Sequence, residues 1–288
     1  MNNILIIGSN GQVGSEFKNI YTNHNLYLTD KTTLDVTQYE DVYNFCQKNN
    51  ITHIVNCSAY TNVENAQIEI DMADVLNNIA VKNLALIAKK LSISLIHIST
   101  DYVFDGCNYK PYAENDKPNP LNIYGKTKLN GEHAMLEVNP AKSIIIRTSW
   151  VYSSFKNNFV KTMLKLSKNN DNLKVIYDQV GTPTYSFDIA NTVMKTIDKL
   201  TNKDVEIYHY SNEGVTSWYD FAKEIFSLSK KDTNVLPIPS SEYQTKAKRP
   251  YYSVLDKSKI KKDFNLDIPY WKDSLEKCLK IIGENDEK

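Results

Sequence analysis

Cysteine is scarce in this chain of 288 residues, which carries only Cys46, Cys57, Cys107 and Cys278. No two of them form a closely spaced pair, so the sequence offers neither a disulfide framework nor a cysteine-based zinc site. Four scattered thiols are best suited to a reducing environment, and we therefore expect a cytoplasmic protein.

Net charge and long apolar runs are also lacking. The 34 lysines and arginines balance 34 aspartates and glutamates, so no overall field favours nucleic acid or an anionic membrane. The first apolar run, residues 4–7, is far too short for a signal peptide or a membrane span, and no basic leader precedes it. We expect neither a nucleic-acid partner nor a membrane partner.

Short β-branched runs recur along the first half of the chain, at residues 4–7, 53–57, 95–98 and 144–147. Helical patterns separate them, such as the apolar residues at three- and four-residue steps over 71–90. Continuous apolar runs are typical of parallel strands buried on both faces. The alternation predicts an α/β fold with a doubly wound parallel sheet of the Rossmann type.

The pattern becomes less regular after Trp150. Loops are predicted at 178–184 and 211–216, and an amphipathic helix at 218–228. We predict a dinucleotide-binding domain with the catalytic residues over 1–150 and a smaller C-terminal, mainly substrate-binding lobe over 151–288. Strands and helices of this lobe can return to the main domain. The tail, residues 284–288, has the polar composition of a disordered segment.

A glycine-rich segment follows the first predicted strand directly, with Gly8, Gly11 and Gly14 ahead of a helix predicted at 15–21. Glycines in such a turn let the backbone approach a pyrophosphate and let the helix pack against the strand. The spacing differs from the commoner Gly-x-Gly-x-x-Gly, and three glycines alone are compatible with a simple tight turn. The position between a strand and a helix favours dinucleotide binding.

The second predicted strand, residues 26–28, leads to Asp30. An acidic residue about 20 positions after the glycine loop can bind ribose hydroxyls, which favours NADH. The neighbouring Lys31 could instead meet a 2′-phosphate, so the choice between NADH and NADPH is open.

Tyr124 and Lys128 lie one helical turn apart, and Thr100 follows the strand predicted at 95–98. Tyr-x-x-x-Lys alone is common on amphipathic helices. If Thr100 and Tyr124 meet at a substrate carbonyl, their hydroxyls can stabilise the oxyanion that forms on reduction, and Tyr124 can protonate it. Lys128 would then hold the nicotinamide ribose and lower the pKa of the phenol by its charge.

These residues resemble the catalytic set of the extended short-chain dehydrogenase/reductase superfamily. Five further blocks are similar to the dTDP-4-dehydrorhamnose reductase family within it, at residues 56–61, 99–104, 147–152, 178–184 and 249–250. They read Asn-Cys-Ser-Ala-Tyr-Thr, Ser-Thr-Asp-Tyr-Val-Phe, Arg-Thr-Ser-Trp-Val-Tyr, Asp-Gln-Val-Gly-Thr-Pro-Thr and Arg-Pro. Each is weak alone, but their order along nearly the whole chain is specific.

The resemblance implies NAD(P)H-dependent reduction of the C4 ketone of dTDP-4-dehydro-6-deoxy-L-mannose to dTDP-L-rhamnose, for cell-surface polysaccharide. It implies catalytic roles for Thr100, Tyr124 and Lys128. The cofactor would contact, besides Tyr124 and Lys128, a set made of Gly8, Asn10, Gly11, Gln12, Val13, Asp30, Asp35, Val36, Ser58, Ala59 and Tyr60. The sugar would face Asp101, Tyr102 and Trp150, as a hydroxyl acceptor and two flat apolar faces.

Some relatives carry an acidic metal cluster at a dimer contact, including a glutamate that matches Glu16. Phe187 stands where a second acid is expected, so we predict no metal. A homodimer is expected only from the general frequency of symmetric dimers.

Three other functions remain open, and the first is another nucleotide-sugar reductase. A nucleotide-sugar dehydratase or epimerase shares the loop, the tyrosine and the lysine, but dehydratases of this superfamily typically have Asp-Glu after the threonine, whereas Asp101 is followed here by Tyr102. The third is a non-catalytic regulatory subunit of the methionine adenosyltransferase type, which keeps the same fold.

Overall fold

A six-stranded parallel sheet forms the centre of the computed structural model, which describes residues 1–286. In chain order the strands are β1 Asn3–Ile7, β2 Asn25–Thr29, β3 His53–Asn56, β4 Ser94–Thr100, β5 Ile144–Thr148, β6 Val151–Tyr152, β7 Asn172–Ile176, β8 Val180–Gly181, β9 Thr184–Tyr185, β10 Glu206–His209, β11 Thr216–Ser217 and β12 Asn234–Ile238. The central sheet has the order β2-β1-β3-β4-β5-β10. This order, with every pair parallel, confirms the doubly wound α/β fold.

The α-helices lie between and after these strands. They are α1 Gln12–Glu16, α2 Tyr39–Lys48, α3 Val63–Ala66, α4 Ile70–Asp74, α5 Ala80–Leu91, α6 Ile123–Val138, α7 Phe159–Leu166, α8 Ser186–Thr196, α9 Trp218–Leu228, α10 Ser258–Phe264 and α11 Trp271–Asp286. Within residues 1–286, no helix combines the length and the apolar character needed to cross a bilayer.

Each face of the central sheet is covered by helices, as the continuous apolar runs predicted. On β1, Ile4 and Ile6 belong to the core that includes residues of α1, α8 and α10. Leu5 and Ile7 belong to the opposite core, with residues of α2, α5 and α6. Successive side chains of a strand point to opposite faces, so both sets must be apolar.

A separate core lies in the C-terminal part of the chain. Residues of α7, α9 and α11 pack there with Val175 of β7 and Val235 of β12. Other parts of 151–288 return to the main sheet, because β10 pairs with β5 and α8 packs in the first core. The division of the chain at residue 150 remains a prediction.

Several element boundaries differ from the sequence-based expectation. The helix after the glycine loop is α1, which begins at Gln12 rather than at residue 15 and continues only as a 3-10 turn over Phe17–Asn19. Gly11 has extended backbone at the helix N-cap, and this allows the early start. The expected loops contain β8, β9 and β11, and the edge strand β10 was missed.

The expected disordered tail is partly wrong. Residues 284–286 belong to α11, and residues 287–288 lie outside the described part of the chain.

The helix predicted at 71–90 is present but is divided by a π-helical turn over Val75–Ile79. In this turn Asn77 is buried, and its side chain hydrogen-bonds the backbone of Tyr60 and the hydroxyl of Thr127 on α6. A π-turn shifts the helix by one residue. Here it brings a polar side chain against α6, the helix that carries Tyr124 and Lys128.

Candidate active site

The crevice between β1 and β3 lies where the order of the strands reverses. Gly8 follows β1 with a φ of +79°, and a Cβ there would lie 2.8 Å from the backbone nitrogen of Ser58 after β3. A Cβ on Gly14 would lie 2.2 Å from the carbonyl oxygen of Gly8. The two loops therefore approach as closely as backbone allows, as expected for a dinucleotide site at a topological switch point.

One cavity of about 1060 Å³ extends from this crevice across the carboxyl ends of β4 and β5. That volume is at the upper end of small-molecule sites and has room for two ligands side by side. The sequence-predicted residues that line it are Gly8, Asn10, Gly11, Gln12, Val13, Asp30, Asp35, Val36, Ser58, Ala59, Thr100, Asp101, Tyr102, Tyr124, Lys128 and Trp150.

Tyr60 is the exception among these predictions, since it is not part of the cavity wall. Its hydroxyl donates a hydrogen bond to Glu69 Oε2 at 2.7 Å, and its backbone is held by Asn77.

Asp30 lies at the far end of the crevice, beyond β2. Its carboxylate accepts hydrogen bonds from the side chains of Asn10 and Thr32, and the bond from Thr32 contributes most to lowering the pKa of Asp30. An ionised carboxylate beside the glycine loop can accept ribose hydroxyls. The tight glycine cradle and this carboxylate fit an NAD(P) cofactor. Lys31 also lines the cavity, so both cofactor forms have a suitable group.

Thr100 is the last residue of β4, where the chain turns into a short 3-10 helix over Asp101–Val103. Its Oγ1 accepts a hydrogen bond from the backbone nitrogen of Tyr102 at 3.2 Å and lies 3.1 Å from Asp101 Oδ1. This turn directs Thr100, Asp101 and Tyr102 into one wall of the cavity.

Helix α6 brings Tyr124 to the same wall. Asn122 caps it by accepting a hydrogen bond from the backbone nitrogen of Gly125 at 2.9 Å. Gly125 permits a close approach, because a Cβ there would lie 2.2 Å from the carbonyl oxygen of Tyr102. The rings of Tyr102 and Tyr124 meet edge to face with centroids 5.7 Å apart.

The pKa of Tyr124 differs from expectation. Burial raises it to about 12, the Thr100 hydroxyl lowers it and the nearby carboxyl of Asp101 raises it. Burial, and not the charge of Lys128, therefore determines the direction in which the pKa of Tyr124 is shifted. At neutral pH the phenol keeps its proton and is a donor.

The amine of Lys128 points away from solvent, with 1% of the residue exposed. Nζ donates to the carbonyl oxygen of Ile98 at 2.7 Å and lies 3.2 Å from Nε2 of the buried His97. Burial lowers the pKa of Lys128 to about 8, although the charge of Glu132 opposes this. Lys128 therefore titrates close to neutral pH.

A buried ion pair fixes α6 against the sheet one turn beyond Lys128. Glu132 is bound by Arg147 of β5, with Nη2 and Oε2 2.7 Å apart, and it accepts a hydrogen bond from Ser99 of β4 at 2.5 Å. Both charges are almost fully buried. Tyr124, Lys128 and Glu132 share one helix face, so the ion pair of Glu132 with Arg147 also positions Tyr124 and Lys128. In the sequence, the only signal for Glu132 was its position eight residues after Tyr124, which puts it on the same helix face.

Other parts of the cavity lining come from side chains of distant segments. Trp150, with a φ of +46°, stacks on Trp218 at 3.7 Å and nearly parallel. Arg249 pairs with Glu64 at 3.0 Å, while its buried Nε has no partner. The sequence-based reasoning missed Trp218 and Lys156 as cavity residues. Only their proximity in the fold reveals them.

Glu16, the residue that matches the acidic cluster of some relatives, lies in the protein interior, and the absence of a metal there stays a prediction. Its Oε1 accepts hydrogen bonds from the hydroxyls of Ser153 and Ser186, each at 2.7 Å. Phe187 packs against the C-terminal core. Among residues 1–286 there is no group of three or more His, Cys, Asp or Glu able to hold a metal ion.

The crevice and the hydroxyl and amine groups at its edge define the class: a Rossmann-type dinucleotide-binding protein of the oxidoreductase kind. Comparison with known proteins gives the family. The RmlD substrate binding domain family matches residues 1–283, and the chain belongs to this family.

Individual relatives cover nearly all of the chain. A dTDP-4-dehydrorhamnose reductase of Aggregatibacter actinomycetemcomitans is 39% identical over an alignment of 287 positions that covers 96% of this chain and 97% of the relative. The spore coat polysaccharide biosynthesis protein SpsK of Bacillus subtilis is 36% identical over 281 residues, 97% of each chain. The crystal structure of dTDP-4-dehydrorhamnose reductase from Bacillus anthracis in complex with NADP has a TM-score of 0.92 at 37% identity and covers 98% of this chain and 99% of its own.

Proposed function

We propose that this chain is an NAD(P)H-dependent oxidoreductase that reduces the C4 ketone of dTDP-4-dehydro-6-deoxy-L-mannose to give dTDP-L-rhamnose, for polysaccharide synthesis. The observation that carries the proposal is the meeting of Thr100 and Tyr124 in the cavity that begins at the glycine loop. The names of the relatives supply the sugar nucleotide.

The proposed chemistry needs two oxygens at the ketone and one proton. When bound, NAD(P)H supplies the hydride. Tyr124 Oη holds the proton that passes to the C4 oxygen, and its pKa of about 12 keeps that proton in place until negative charge develops on the oxygen. Thr100 Oγ1 donates a second hydrogen bond to the same oxygen. Lys128, at the base of the crevice, would hold the hydroxyls of the nicotinamide ribose.

The remaining groups suit a nucleotide sugar. Tyr102, Trp150 and Trp218 offer flat faces to the apolar side of a deoxysugar, and Asp101 can accept a sugar hydroxyl. The cations of Lys156 and Arg249 are placed to attract the diphosphate. We therefore assign the sugar-binding role jointly to residues after β4 and β5 and to residues of the C-terminal part of the chain.

Three further points belong to this proposal. Asp30 can accept the ribose hydroxyls of NADH, and Lys31 can meet the 2′-phosphate of NADPH. The four free cysteines suit a reducing cytoplasm. A homodimer is the expected assembly on general frequency, and sedimentation velocity would test it.

Product identification tests the function directly. The purified protein is incubated with NADPH or NADH and with dTDP-4-dehydro-6-deoxy-L-mannose, and in parallel with its UDP counterpart and a dTDP-4-keto-6-deoxy-D-glucose. We expect loss of nicotinamide absorbance with the first sugar above all and formation of dTDP-L-rhamnose by NMR. Epimerised or dehydrated sugar without net oxidation of the cofactor would instead support the alternative enzymes. No turnover would support a binding role.

A further inference from the structure

Asp101 lies in the cavity wall between Thr100 and Tyr102 with only 2% of the residue exposed. Its Oδ1 is 3.1 Å from Thr100 Oγ1, whereas its buried Oδ2 forms no hydrogen bond of good geometry, although the hydroxyl of Ser253 lies close enough to lower the pKa of Asp101. A buried carboxylate normally has partners for both oxygens, since an unpaired charged oxygen is costly. The surroundings of Asp101 are thus better matched to a neutral carboxyl.

The protonation state of Asp101 determines whether Thr100 has a hydrogen to donate to a substrate. A threonine hydroxyl has one hydrogen to donate and two lone pairs to accept. One lone pair is used by the backbone nitrogen of Tyr102, at 3.2 Å. If Asp101 is ionised, both of its oxygens can only accept, so the contact at 3.1 Å takes the hydrogen of Thr100. Thr100 then has no hydrogen left for a substrate oxygen.

A proton on Oδ1 of Asp101 reverses this bond. Oδ1 then donates to the second lone pair of Thr100 Oγ1, and the hydroxyl hydrogen of Thr100 is released towards the cavity. Oδ2 becomes a carbonyl oxygen that can accept one sugar hydroxyl. Every donor and acceptor of the two residues is satisfied once a ligand is bound.

We propose that Asp101 is a positioning residue that works in its protonated form, by donating to Thr100 and turning the hydrogen of Thr100 towards the substrate oxygen. The proposal rests on the proposed function for its catalytic consequence. The hydrogen bond from a protonated Asp101 to Thr100 does not depend on that function.

The titratable neighbours agree with this assignment. Burial raises the pKa of Asp101 to about 7, while hydrogen bonds from the hydroxyls of Ser253 and Thr100 and from the backbone of Asp101 and Tyr102 lower it. The groups that face Asp101 or share its part of the cavity are the phenols of Tyr102 and Tyr124, the ion pair of Arg249 with Glu64, and Lys128. Both phenols have raised pKa values and stay neutral, and Glu64 offsets the charge of Arg249. Of these groups, Lys128 has the pKa closest to that of Asp101, at about 8.

The first test observes the free protein by NMR, so it does not depend on activity. Aspartate carboxyl carbons and threonine methyl groups are labelled with carbon-13 and titrated from pH 4 to pH 9. We expect one carboxyl with a midpoint near 7, absent from Asp101→Asn, and a transition of the Thr100 methyl with the same midpoint. The methyl transition should vanish in Asp101→Asn. A midpoint of Asp101 below 5, or a Thr100 methyl that does not change with pH, overturns the proposal.

The second test is the pH dependence of kcat/KM. Between pH 6 and pH 8 the protonated fraction of a group with a pKa near 7 falls about tenfold, and we expect the wild-type rate to fall with it. Asn at position 101 can donate to Thr100 and accept with its other atom, so Asp101→Asn should change by less than about threefold over that range. Asp101→Ala can do neither and should be slow at every pH.

Asp41→Asn, on the surface of α2, is the control for the substitution and should keep the wild-type profile. A wild-type rate that rises with pH through 7 would mean that the carboxylate is the working form and would overturn the proposal. The same holds if Asp101→Asn behaves like Asp101→Ala although its thermal unfolding is normal. If no keto-sugar is reduced at all, the proposed function fails. The NMR titration alone then shows whether a protonated Asp101 donates to Thr100.

Discussion

The two sides of the cavity are built in different ways. The cofactor side consists largely of backbone: the glycine loop after β1 and the segment after β3, which meet so closely that Gly8 has no room for a Cβ. The sugar side consists of side chains from distant segments, with Trp150, Trp218 and Arg249 brought together only by the fold. The cofactor side should therefore be sensitive to any added atom, and the sugar side to the loss of particular side chains.

Tyr124 and Lys128 stand at the junction of the two sides, and burial acts on them in opposite directions. It raises the pKa of Tyr124 to about 12 and lowers the pKa of Lys128 to about 8, because in each case it favours the neutral form. One helix thus presents a firmly protonated donor and an amine that readily loses its proton.

Apart from removal of the Tyr124 hydroxyl, the largest effect is expected for Gly14→Ala on the cofactor side. The new Cβ would lie 2.2 Å from the carbonyl oxygen of Gly8, so the loop must move. A distortion of roughly 3 kcal/mol weakens cofactor binding roughly a hundredfold, measured by fluorescence titration with NADPH. Gly283→Ala is the matched control, since nothing lies within 4 Å of its added Cβ, and it should bind normally. Equal affinities in the two variants would contradict a backbone-built site.

Lys128→Met should be next in size. Loss of the amine removes a contact to the ribose, and we expect kcat/KM to fall about 10- to 100-fold with weaker cofactor binding. The wild-type ammonium is present below its pKa of about 8 and is lost above it, so the wild-type rate should decline from pH 8 to pH 10. Asp101→Asn, which removes the decline expected from Asp101, should keep the part that Lys128 causes, and Asp101→Asn combined with Lys128→Met should lack it. A variant with unchanged affinity and turnover would remove Lys128 from the mechanism.

On the sugar side, Trp218→Ala should raise the KM for the sugar nucleotide about tenfold. It removes a cavity wall and the ring that stacks on Trp150 at 3.7 Å. Cofactor affinity should stay within about twofold, because the glycine loop is untouched. Tyr21→Ala, at a ring that is 95% exposed, is the control. If Trp218→Ala weakened cofactor and sugar equally, the two sides would not be separate.

The smallest effect is expected for Asp30→Ala. This carboxylate lies at the outer end of the cofactor side, where its hydrogen bonds with Thr32 lower its pKa and keep it ionised. Its loss should move the ratio of NADH to NADPH efficiency towards NADPH by about threefold to tenfold. An unchanged ratio in steady-state assays would show that Asp30 does not contact the ribose.

The same division explains what the sequence could predict. Gly8, Gly11 and Gly14 lie close together in the chain, so their spacing after a strand indicated both the fold and the cofactor side. Thr100 and Tyr124 were found because strand ends and helix faces follow from local patterns.

The rest depends on tertiary packing. Trp218 starts a helix 68 residues after Trp150, and nothing in its local sequence indicates the stack. The same is true of the burial that reverses the expected effect on the pKa of Tyr124. The resemblance implied that Tyr60 contacts the cofactor, whereas this residue lies outside the cavity wall and its hydroxyl donates to Glu69.

The most direct measurement of the central claim compares wild type with Tyr124→Phe, in turnover of the keto-sugar and in NADPH affinity by fluorescence titration. Phenylalanine keeps the ring beside Tyr102 but has no proton to give. We predict that turnover falls about 10²- to 10⁴-fold while cofactor affinity changes by less than about threefold. Turnover close to wild type would contradict the account, because another group would then protonate the substrate oxygen.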